Sequence, residues 1–393
     1  MARPRPVRLV HPLYLSGSGI SACALALAEV WDELGAPVEY WCTGAPPQLR
    51  RRFVHVPLSP ARTRLHYKFR RPEEELSRGV EQALLREVGP EDVVYTWPGT
   101  SLEFARGLSK RGAFVAVERV NSHRANARRI LDRLYARHDL DRRRPLLETH
   151  AHDEYDSMIE TRKLELADAL FSPSPFVTAS LLEQGLDAER VVPTSYAWDA
   201  RAFRPVARGP RREGRCVFAH VGSDVLRKGV GELLAAWRRA EGPGELRVVG
   251  DVPIPLARRW VRDLARPEVR IHSWVSDLAT FFADVDVYVL ASHEEGSPVS
   301  TCLALASGLP CLVSPAGSGG VVRDGVDGFV VDPDDAEGWA AALVRLAGDA
   351  ELRAELGRNA KERSRELTWD VVGAKRYAAV AARVGLGGLR AAG

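Results

Sequence analysis

The sequence predicts an α/β protein of two domains, each built on a parallel β-sheet with helices on both faces. The first observation is that strand-like and helix-like segments alternate along the chain, the order that builds such a sheet. The second is the length of 393 residues, which exceeds the usual size of one hydrophobic core. We expect a first domain at 1–203, a linker at 204–214, a second domain at 215–368 and a final helical segment at 369–393.

The first domain is predicted to begin with a strand at 7–15, a loop of Gly and Ser, and a helix at 20–34 that ends before Gly35. β-rich runs and helical periodicity predict the elements that follow. The predicted strands are 37–42, 92–95, 114–117 and 170–172. The predicted helices are 73–88 and 102–111, a long helical and polar region at 126–169, and a helix opened by Ser174-Pro175.

The second α/β series starts after a segment rich in Pro, Gly and Arg, a composition typical of a linker. Its predicted strands lie at 217–221, 246–249, 269–271 and 285–290. A last helix is predicted at 369–384, after Thr368.

The most informative unit of the second domain is a predicted strand, helix and strand at 285–314. The buried strand is followed by a polar turn at 292–298, and the helix at 299–307 is closed by Gly308. Open α/β sheets bind ligands at the carboxyl ends of their strands. A helix amino terminus there offers free N–H groups to a phosphate, so the turn is a candidate binding site.

A second candidate site is the turn Arg227-Lys228-Gly229, between a predicted strand and a helical pattern at 230–239. Two cations beside a residue without a side chain suit a diphosphate leaving group. The alternative is a solvated helix start. Basic residues in a first helical turn oppose the helix dipole, however, so local stability does not explain them and function is favoured.

The stretch 291–310 resembles the signature of the family 4 retaining glycosyltransferases, the glycosyltransferase group 1 family. In that family a Glu-Gly-aromatic-Gly/Pro turn precedes a second Glu, eight residues after the first, and then Ala-Met-Ala-x-Gly-x-Pro. Here Glu295-Gly296-Ser297-Pro298 matches the turn and 304–310 matches the tail, whereas Leu303 stands in the place of the second Glu. Further similar segments lie at 174–205, 222–230, 324–333 and 367–369, so the resemblance covers most of the chain.

The resemblance implies the GT-B fold, in which two Rossmann-like domains face an interdomain cleft and a C-terminal helix returns to the first domain. It implies a retaining, hexosyltransferase-type glycosyltransferase that moves a sugar from a nucleotide-diphosphate sugar to an acceptor hydroxyl. The nucleotide sugar is a co-substrate, and no cofactor is expected. The acceptor stays open among a glycan, a lipid-linked sugar and a small molecule.

The resemblance also implies roles for individual residues. Lys228 matches the family's diphosphate-binding Lys, and Arg227 is expected to replace an Arg whose place is taken by Ser223. Glu295 is expected at the transferred sugar, with Glu294 as an exposed neighbour, and His123 is a further candidate at the sugar, with a structural role as its alternative. The full donor-binding set is predicted as Gly17, Ser18, Gly19, Ser223, Val275, Gly296, Ser297, Pro298, Val299 and Leu303. For the loop Gly17-Ser18-Gly19, a plain tight turn without a ligand is the alternative.

Two other classes remain open at this point. One is a catalytically silent GT-B protein that binds a sugar nucleotide or a partner, because Leu303 and Ser223 lack the expected donor contacts. The other is a sugar phosphorylase or epimerase on the same fold.

Composition and residue spacing argue against several classes of protein and of site. The net charge of +3 and the charged fraction of 27% do not indicate a nucleic-acid binder. The histidines and carboxylates have no metal-ligand spacing, which predicts that no catalytic metal is needed. The five cysteines are widely spaced and odd in number, which argues against a disulfide framework and favours the cytoplasm. No apolar run is long enough to span a membrane. Nine arginines at 119–144 would permit peripheral membrane contact, but an ordinary Arg-rich surface is the preferred interpretation.

Overall fold

The computed structural model describes residues 6–59, 63, 66, 68–69, 72–207 and 215–385. Part of the predicted linker, 208–214, and the end of the predicted final segment, 386–393, lie outside the described residues.

Two parallel sheets form the frame of the protein, which confirms the predicted α/β class. The first sheet has the order β3-β2-β1-β4-β5-β6-β7 and the second β10-β9-β8-β11-β12-β13. In the first sheet the strands are β1 Val7–Val10, β2 Val38–Trp41, β3 Val54–His55, β4 Val93–Thr96, β5 Phe114–Glu118, β6 Ala169–Ser172 and β7 Val191–Pro193. In the second they are β8 Val217–Val221, β9 Glu245–Val249, β10 Val269–His272, β11 Val287–Leu290, β12 Cys311–Val313 and β13 Gly328–Val330.

Helices connect the strands and cover both sheets. Those of the first series are α1 Gly19–Glu33, α2 Glu73–Leu85, α3 Leu102–Lys110, α4 Arg124–Arg137, α5 Glu154–Glu165 and α6 Pro175–Leu182. Those of the second are α7 Val230–Arg239, α8 Ile254–Arg259, α9 Val261–Leu264, α10 Leu278–Ala283, α11 Val299–Ala306, α12 Pro315–Ser318, α13 Ala336–Gly348, α14 Ala350–Ser364 and α15 Trp369–Val384.

Two predicted elements of the first domain are corrected by the structure. The strand predicted at 7–15 ends at Val10, because Pro12 has no N–H to continue the ladder; beyond it the pairing resumes only as an isolated bridge between Tyr14 and Gly44. The helical region predicted at 126–169 consists of α4 and α5, separated by an irregular segment. The edge strands β3 and β7 were not predicted, since two or three residues carry too little alternation to be recognised.

Helix α15 returns to the first domain, as the resemblance implies. Trp369 and Tyr377 lie in the same apolar cluster as Trp31 of α1, whose Nε1–H donates to the Gly373 carbonyl at 2.8 Å. The buried Arg376 guanidinium donates to the buried Glu118 carboxylate at the end of β5. The last helix is therefore part of the first domain's core.

Helix α4 belongs to the first series in sequence but packs into the core of the second domain. Its buried residues Leu131, Leu134 and Tyr135 share an apolar cluster with Val225 and Leu226, which follow β8. The segment after α4 is thereby held against the loop that contains Arg227 and Lys228.

Carboxylates pair with several arginines of the basic first domain. The pairs are Arg51–Glu29, Arg52–Asp32 and Arg142–Asp132. None of the described helices is both long enough and apolar enough to cross a bilayer.

Candidate active site

The two predicted turns of the second domain lie next to each other. β8 pairs in parallel with β11, so the loops at their carboxyl ends meet at one edge of the sheet. Gly229 opens α7 with φ of +68°, and a side chain there would lie 2.0 Å from the Ala291 carbonyl oxygen. Because only Gly fits, the Arg227-Lys228 turn can approach the 291–298 turn closely. The main-chain N–H of His293 donates to the Arg227 carbonyl at 2.9 Å.

Lys228 and Glu295 form an ion pair at this edge. The Lys228 ammonium donates to Glu295 Oε1, which also accepts from the Ser292 hydroxyl at 3.2 Å. Burial by itself would raise the pKa of Glu295, but Lys228 and Arg227 lower it below its ordinary value. Glu295 is therefore an ionised carboxylate held beside a cation.

Arg227 is surrounded by three carboxylates. Its Nε lies 2.8 Å from Asp224 Oδ2, and its Nη1 lies 3.0 Å from Glu294 Oε2 and 3.4 Å from Glu295 Oε1. Nη1 also donates to the main-chain carbonyl of Glu294. With Lys228 included, two cations face three carboxylates, so the guanidinium is engaged by the protein itself.

A buried histidine completes the support of Asp224. The His150 Nε2 lies 3.0 Å from Asp224 Oδ2, and its Nδ1 lies 3.0 Å from the Tyr135 hydroxyl. Burial would raise the pKa of Asp224, but the contacts with His150 and Arg227 hold it well below its usual range. The segment after α4 thus fixes the loop after β8.

The 291–298 turn packs directly on the first domain. The main-chain N–H and the hydroxyl of Ser122 each donate to Glu294 Oε1 at 2.8 Å. Ser297 Oγ accepts from the Tyr196 N–H at 3.2 Å. A side chain at Gly296 would lie 1.8 Å from the Val120 carbonyl oxygen, so this position requires Gly. These contacts join the second domain to the first at this turn.

Glu294 was expected to be an exposed neighbour of Glu295, and this expectation is wrong. Its carboxylate is 1% exposed because it bridges Arg227 and Ser122. Sequence reasoning also missed Asp224, Ser122 and His150 as site residues. Asp224 could have been recognised as a carboxylate three residues before Arg227. Ser122 and His150 could not, because their contacts depend on how the two domains pack together.

The segment Gly17-Ser18-Gly19 leads from β1 into α1, whose first residue is Gly19, and it is exposed. Gly17 and Gly19 have φ of +74° and +53°, a left-handed conformation that favours glycine. Ser18 precedes the helix without capping it, and its hydroxyl lies 3.0 Å from that of Ser16. The loop, which follows β1, is therefore accessible to a ligand.

The other predicted donor-binding residues occupy different environments. Ser223 is exposed after β8, and Val275 is half-buried between β10 and α10. Pro298 precedes α11, and Val299 packs against the apolar cluster of the first domain. Leu303 lies one turn further along α11 and packs against an apolar cluster of the second domain.

His123 is fully buried at the start of α4. Its Nδ1 accepts from the Ala125 N–H at 3.2 Å, and its Nε2 lies 3.1 Å from the Thr161 hydroxyl. Burial lowers the pKa of His123 to about 4, so the ring is neutral near pH 7. Its contacts are with first-domain groups, and the structure does not join it to the Lys228–Glu295 pair.

In the part of the chain that the structure describes, no three His, Cys, Asp or Glu side chains are grouped to hold a metal ion.

Comparisons with known proteins agree with this architecture. Residues 215–349 match the family model described as "Glycosyl transferases group 1". The chain is 35% identical over 182 residues to a phosphatidyl-myo-inositol mannosyltransferase of Mycolicibacterium smegmatis, a match that covers 44% of this chain and 47% of the relative. The chain thus spans less than half the length of this curated relative.

Solved structures match over nearly the whole chain. Sucrose-phosphate synthase of Thermosynechococcus elongatus is similar with a TM-score of 0.69 and 20% identity, covering 98% of this chain and all of that one. HepE of Anabaena in complex with UDP-glucose has a TM-score of 0.64 at 13% identity, with coverage of 95% and 99%. At these identities the likeness establishes the fold alone. The chain therefore has the GT-B fold, and its residues 215–349 match the group 1 glycosyl transferases.

Proposed function

We propose that the protein is a retaining glycosyltransferase of family 4 that transfers a sugar from a nucleotide-diphosphate sugar to an acceptor hydroxyl. The donor occupies the cleft between the two sheets. The second domain holds the diphosphate and the sugar, and the first domain holds the acceptor. In this proposal the protein works in the cytoplasm and needs neither a metal nor a cofactor.

One observation carries the proposal: the Lys228 ammonium and the Glu295 carboxylate meet at the carboxyl edge of the second sheet. Lysine is a compact cation on a flexible stem, so it can exchange a carboxylate for a phosphate oxygen with little movement. Charge builds on the diphosphate as the glycosidic bond breaks. A cation there stabilises the transition state more than the ground state. Glu295, released from Lys228, is then available to the sugar hydroxyls.

Arg227 fits a positioning role better than direct contact with the diphosphate. Asp224 and Glu294 already engage its guanidinium, at 2.8 and 3.0 Å. Removing a buried cation from two carboxylates costs several kcal/mol. Arg227 therefore holds the Lys228 turn against the 291–298 turn.

Retention of configuration follows from attack on the face that the diphosphate leaves. The bond from the anomeric carbon to the diphosphate oxygen breaks, and a bond to the acceptor oxygen forms on the same side. The departing phosphate oxygen takes the acceptor proton, so no protein nucleophile is needed. The names of two similar proteins support the donor class: HepE was solved with UDP-glucose, and the Mycolicibacterium smegmatis protein is a mannosyltransferase.

The proposal is tested by incubating the purified protein with a panel of nucleotide sugars and candidate acceptors, and measuring nucleoside diphosphate release. We expect release from one donor class, including in EDTA, and an α-linked product from an α-linked donor. Lys228→Ala should lower turnover more than it weakens donor binding. Lys110→Ala is the control, because Lys110 is exposed at the end of α3. An unchanged turnover in Lys228→Ala would refute the assigned role.

A second candidate, a catalytically silent protein that binds a sugar nucleotide, is favoured by Leu303. An apolar side chain at this position cannot accept hydrogen bonds from ribose hydroxyls. Nucleotide binding without any transfer would support this candidate.

A further inference from the structure

A cavity of about 260 Å³ lies in the first domain, between β4, β5 and the helices α3, α4 and α5. Its inner wall is apolar, with Phe104, Leu108, Val117 and Leu131 among the lining residues. A cavity of about 150 Å³ is enough for a benzene ring. This one therefore has room for a ring with a few further heavy atoms attached.

The same cavity contains N–H donors that lack acceptors. Arg119 and Trp97 both line it and are buried, and neither Arg119 Nε nor Trp97 Nε1 has a hydrogen-bond partner in the described part of the chain. Buried donors normally find an acceptor, and leaving one unsatisfied is unfavourable. A ligand that brings oxygen acceptors would satisfy both.

The charges of the cavity wall favour an anion. Protein cations already pair with the three lining carboxylates: Glu118 with Arg376, Glu160 with Arg119, and Glu294 with Arg227. Lys163 also lines the cavity, and its ammonium donates to the Thr100 carbonyl. Among the described residues, no carboxylate forms a salt bridge with Lys163. Glu160 and Glu81 attract the Lys163 ammonium from a distance. Without a direct salt bridge, this partly buried ammonium can still bind a carboxylate or a phosphate.

The cavity also reaches the second domain. Arg227 and Glu294 line it, and Arg227 Nη1 lies 3.4 Å from Glu295 Oε1. A molecule anchored at Lys163 and Arg119 can therefore present a group at its other end beside the Lys228–Glu295 pair.

We propose that this cavity holds the non-reacting end of the acceptor, and that the acceptor is a compact apolar ring bearing one carboxylate or phosphate. The assignment of the ligand as acceptor rests on the proposed function; the binding site itself does not. The ring packs against the apolar wall, the anion binds Lys163 and Arg119, and the hydroxyl that receives the sugar points to the second domain.

The test is calorimetric titration of the full chain with three probes: 4-hydroxybenzoate, 4-hydroxyphenyl phosphate and the neutral 4-hydroxybenzyl alcohol. The wild type should bind one anionic probe at least about tenfold more tightly than the neutral one, the effect of one charge-assisted hydrogen bond. The tighter of the two anions identifies the natural group. Lys163→Met keeps the side-chain stem and should abolish the preference for the anion, whereas Lys110→Met should leave it intact.

A second pair of variants tests the location. Ala127 lines the cavity and Ala136 is exposed on the same helix, α4. Ala127→Leu should weaken binding of all three probes, and Ala136→Leu should not. The proposal is overturned if the wild type binds neither anionic probe, or if Lys163→Met and Ala127→Leu bind them as the wild type does.

Nucleoside diphosphate binding, titrated on the same samples, separates this inference from the proposed function. Lys163→Met and Ala127→Leu should bind a nucleoside diphosphate like the wild type. Diphosphate binding without probe binding would refute the cavity proposal alone. Probe binding without diphosphate binding would refute the proposed function alone.

Discussion

Ser122 of the first domain donates two hydrogen bonds, from its main-chain N–H and its hydroxyl, to Oε1 of Glu294 in the second domain, each at 2.8 Å. The other carboxylate oxygen of Glu294 lies 3.0 Å from Arg227 Nη1. One buried carboxylate therefore joins the two domains and positions the turn that carries Lys228. The stability of the interdomain contact and the geometry of the candidate site depend on the same side chain.

Removing this carboxylate should destabilise the protein. Glu294→Ala leaves the two buried Ser122 donors without their acceptor and removes one of the three carboxylates around Arg227. Each buried donor left unsatisfied costs about 1–3 kcal/mol. Thermal unfolding of Glu294→Ala should therefore begin at a clearly lower temperature. Glu189→Ala, an exposed position, serves as the control. Equal melting temperatures for the wild type and Glu294→Ala would contradict the role of Glu294 as a bridge between the domains.

The return of the last helix depends on the buried pair between Arg376 and Glu118. Arg376→Met keeps much of the side-chain volume but leaves Glu118 as an uncompensated buried charge, a loss of about 3–5 kcal/mol. Arg383→Met, on the exposed side of the same helix, should have little effect. Urea unfolding of both variants checks this. If Arg376→Met unfolded at the same urea concentration as the wild type, apolar packing alone would hold α15 against the first domain.

Stability should fall in acid, in part because of His123. Burial lowers the pKa of His123 from 6.5 to about 4, so between these values the unfolded chain binds a proton that the folded protein does not. The free energy of unfolding then decreases as pH falls from 6.5 towards 4, by at most about 1.4 kcal/mol per pH unit for this residue.

The variant His123→Asn should make the free energy of unfolding less dependent on pH. Asn has no titrating group in this range, but its side chain can still accept the hydrogen bond that caps the helix. Urea unfolding of both proteins between about pH 7 and pH 5 measures the slope. Parallel curves for the wild type and His123→Asn would show that His123 does not contribute.

Leu303→Glu should tighten nucleotide binding if ribose recognition has only been lost at this position. The new carboxylate could accept hydrogen bonds from ribose hydroxyls, each worth about 1.5–3 kcal/mol with a charged acceptor. Leu303→Met, which keeps the apolar contact, is the matched control. Calorimetry with nucleoside diphosphates measures the difference. Equal affinity in both variants would place ribose recognition at other residues.

Local patterns in the sequence predicted the fold well. The strand, turn and helix at 285–307 are confirmed as β11, the 291–298 turn and α11, because a buried apolar run, a polar turn and Gly308 are each strong local signals. The return of the last helix is also confirmed. β3 escaped prediction because it has only two residues, and its place is set by pairing with β2.

The sequence predicted that Lys228 and Glu295 belong to one site, but not that three carboxylates face the two cations there. Parallel pairing of β8 and β11 brings the two turns together, and a strand pattern can anticipate that. Ser122 and His150 reach the site only through the packing of α4 and the first domain on the second. Such contacts join residues 172 and 74 positions apart, and no local pattern encodes them.

The most direct test of the central claim, that a donor diphosphate binds at Lys228, is a calorimetric titration of the wild type and Lys228→Ala with UDP, GDP and ADP. The account predicts saturable binding of at least one of them by the wild type. It predicts binding weaker by about tenfold or more in Lys228→Ala, the loss of one charge-assisted contact, and unchanged binding in Lys110→Ala. Absence of binding by the wild type, or equal affinity in Lys228→Ala, would contradict it.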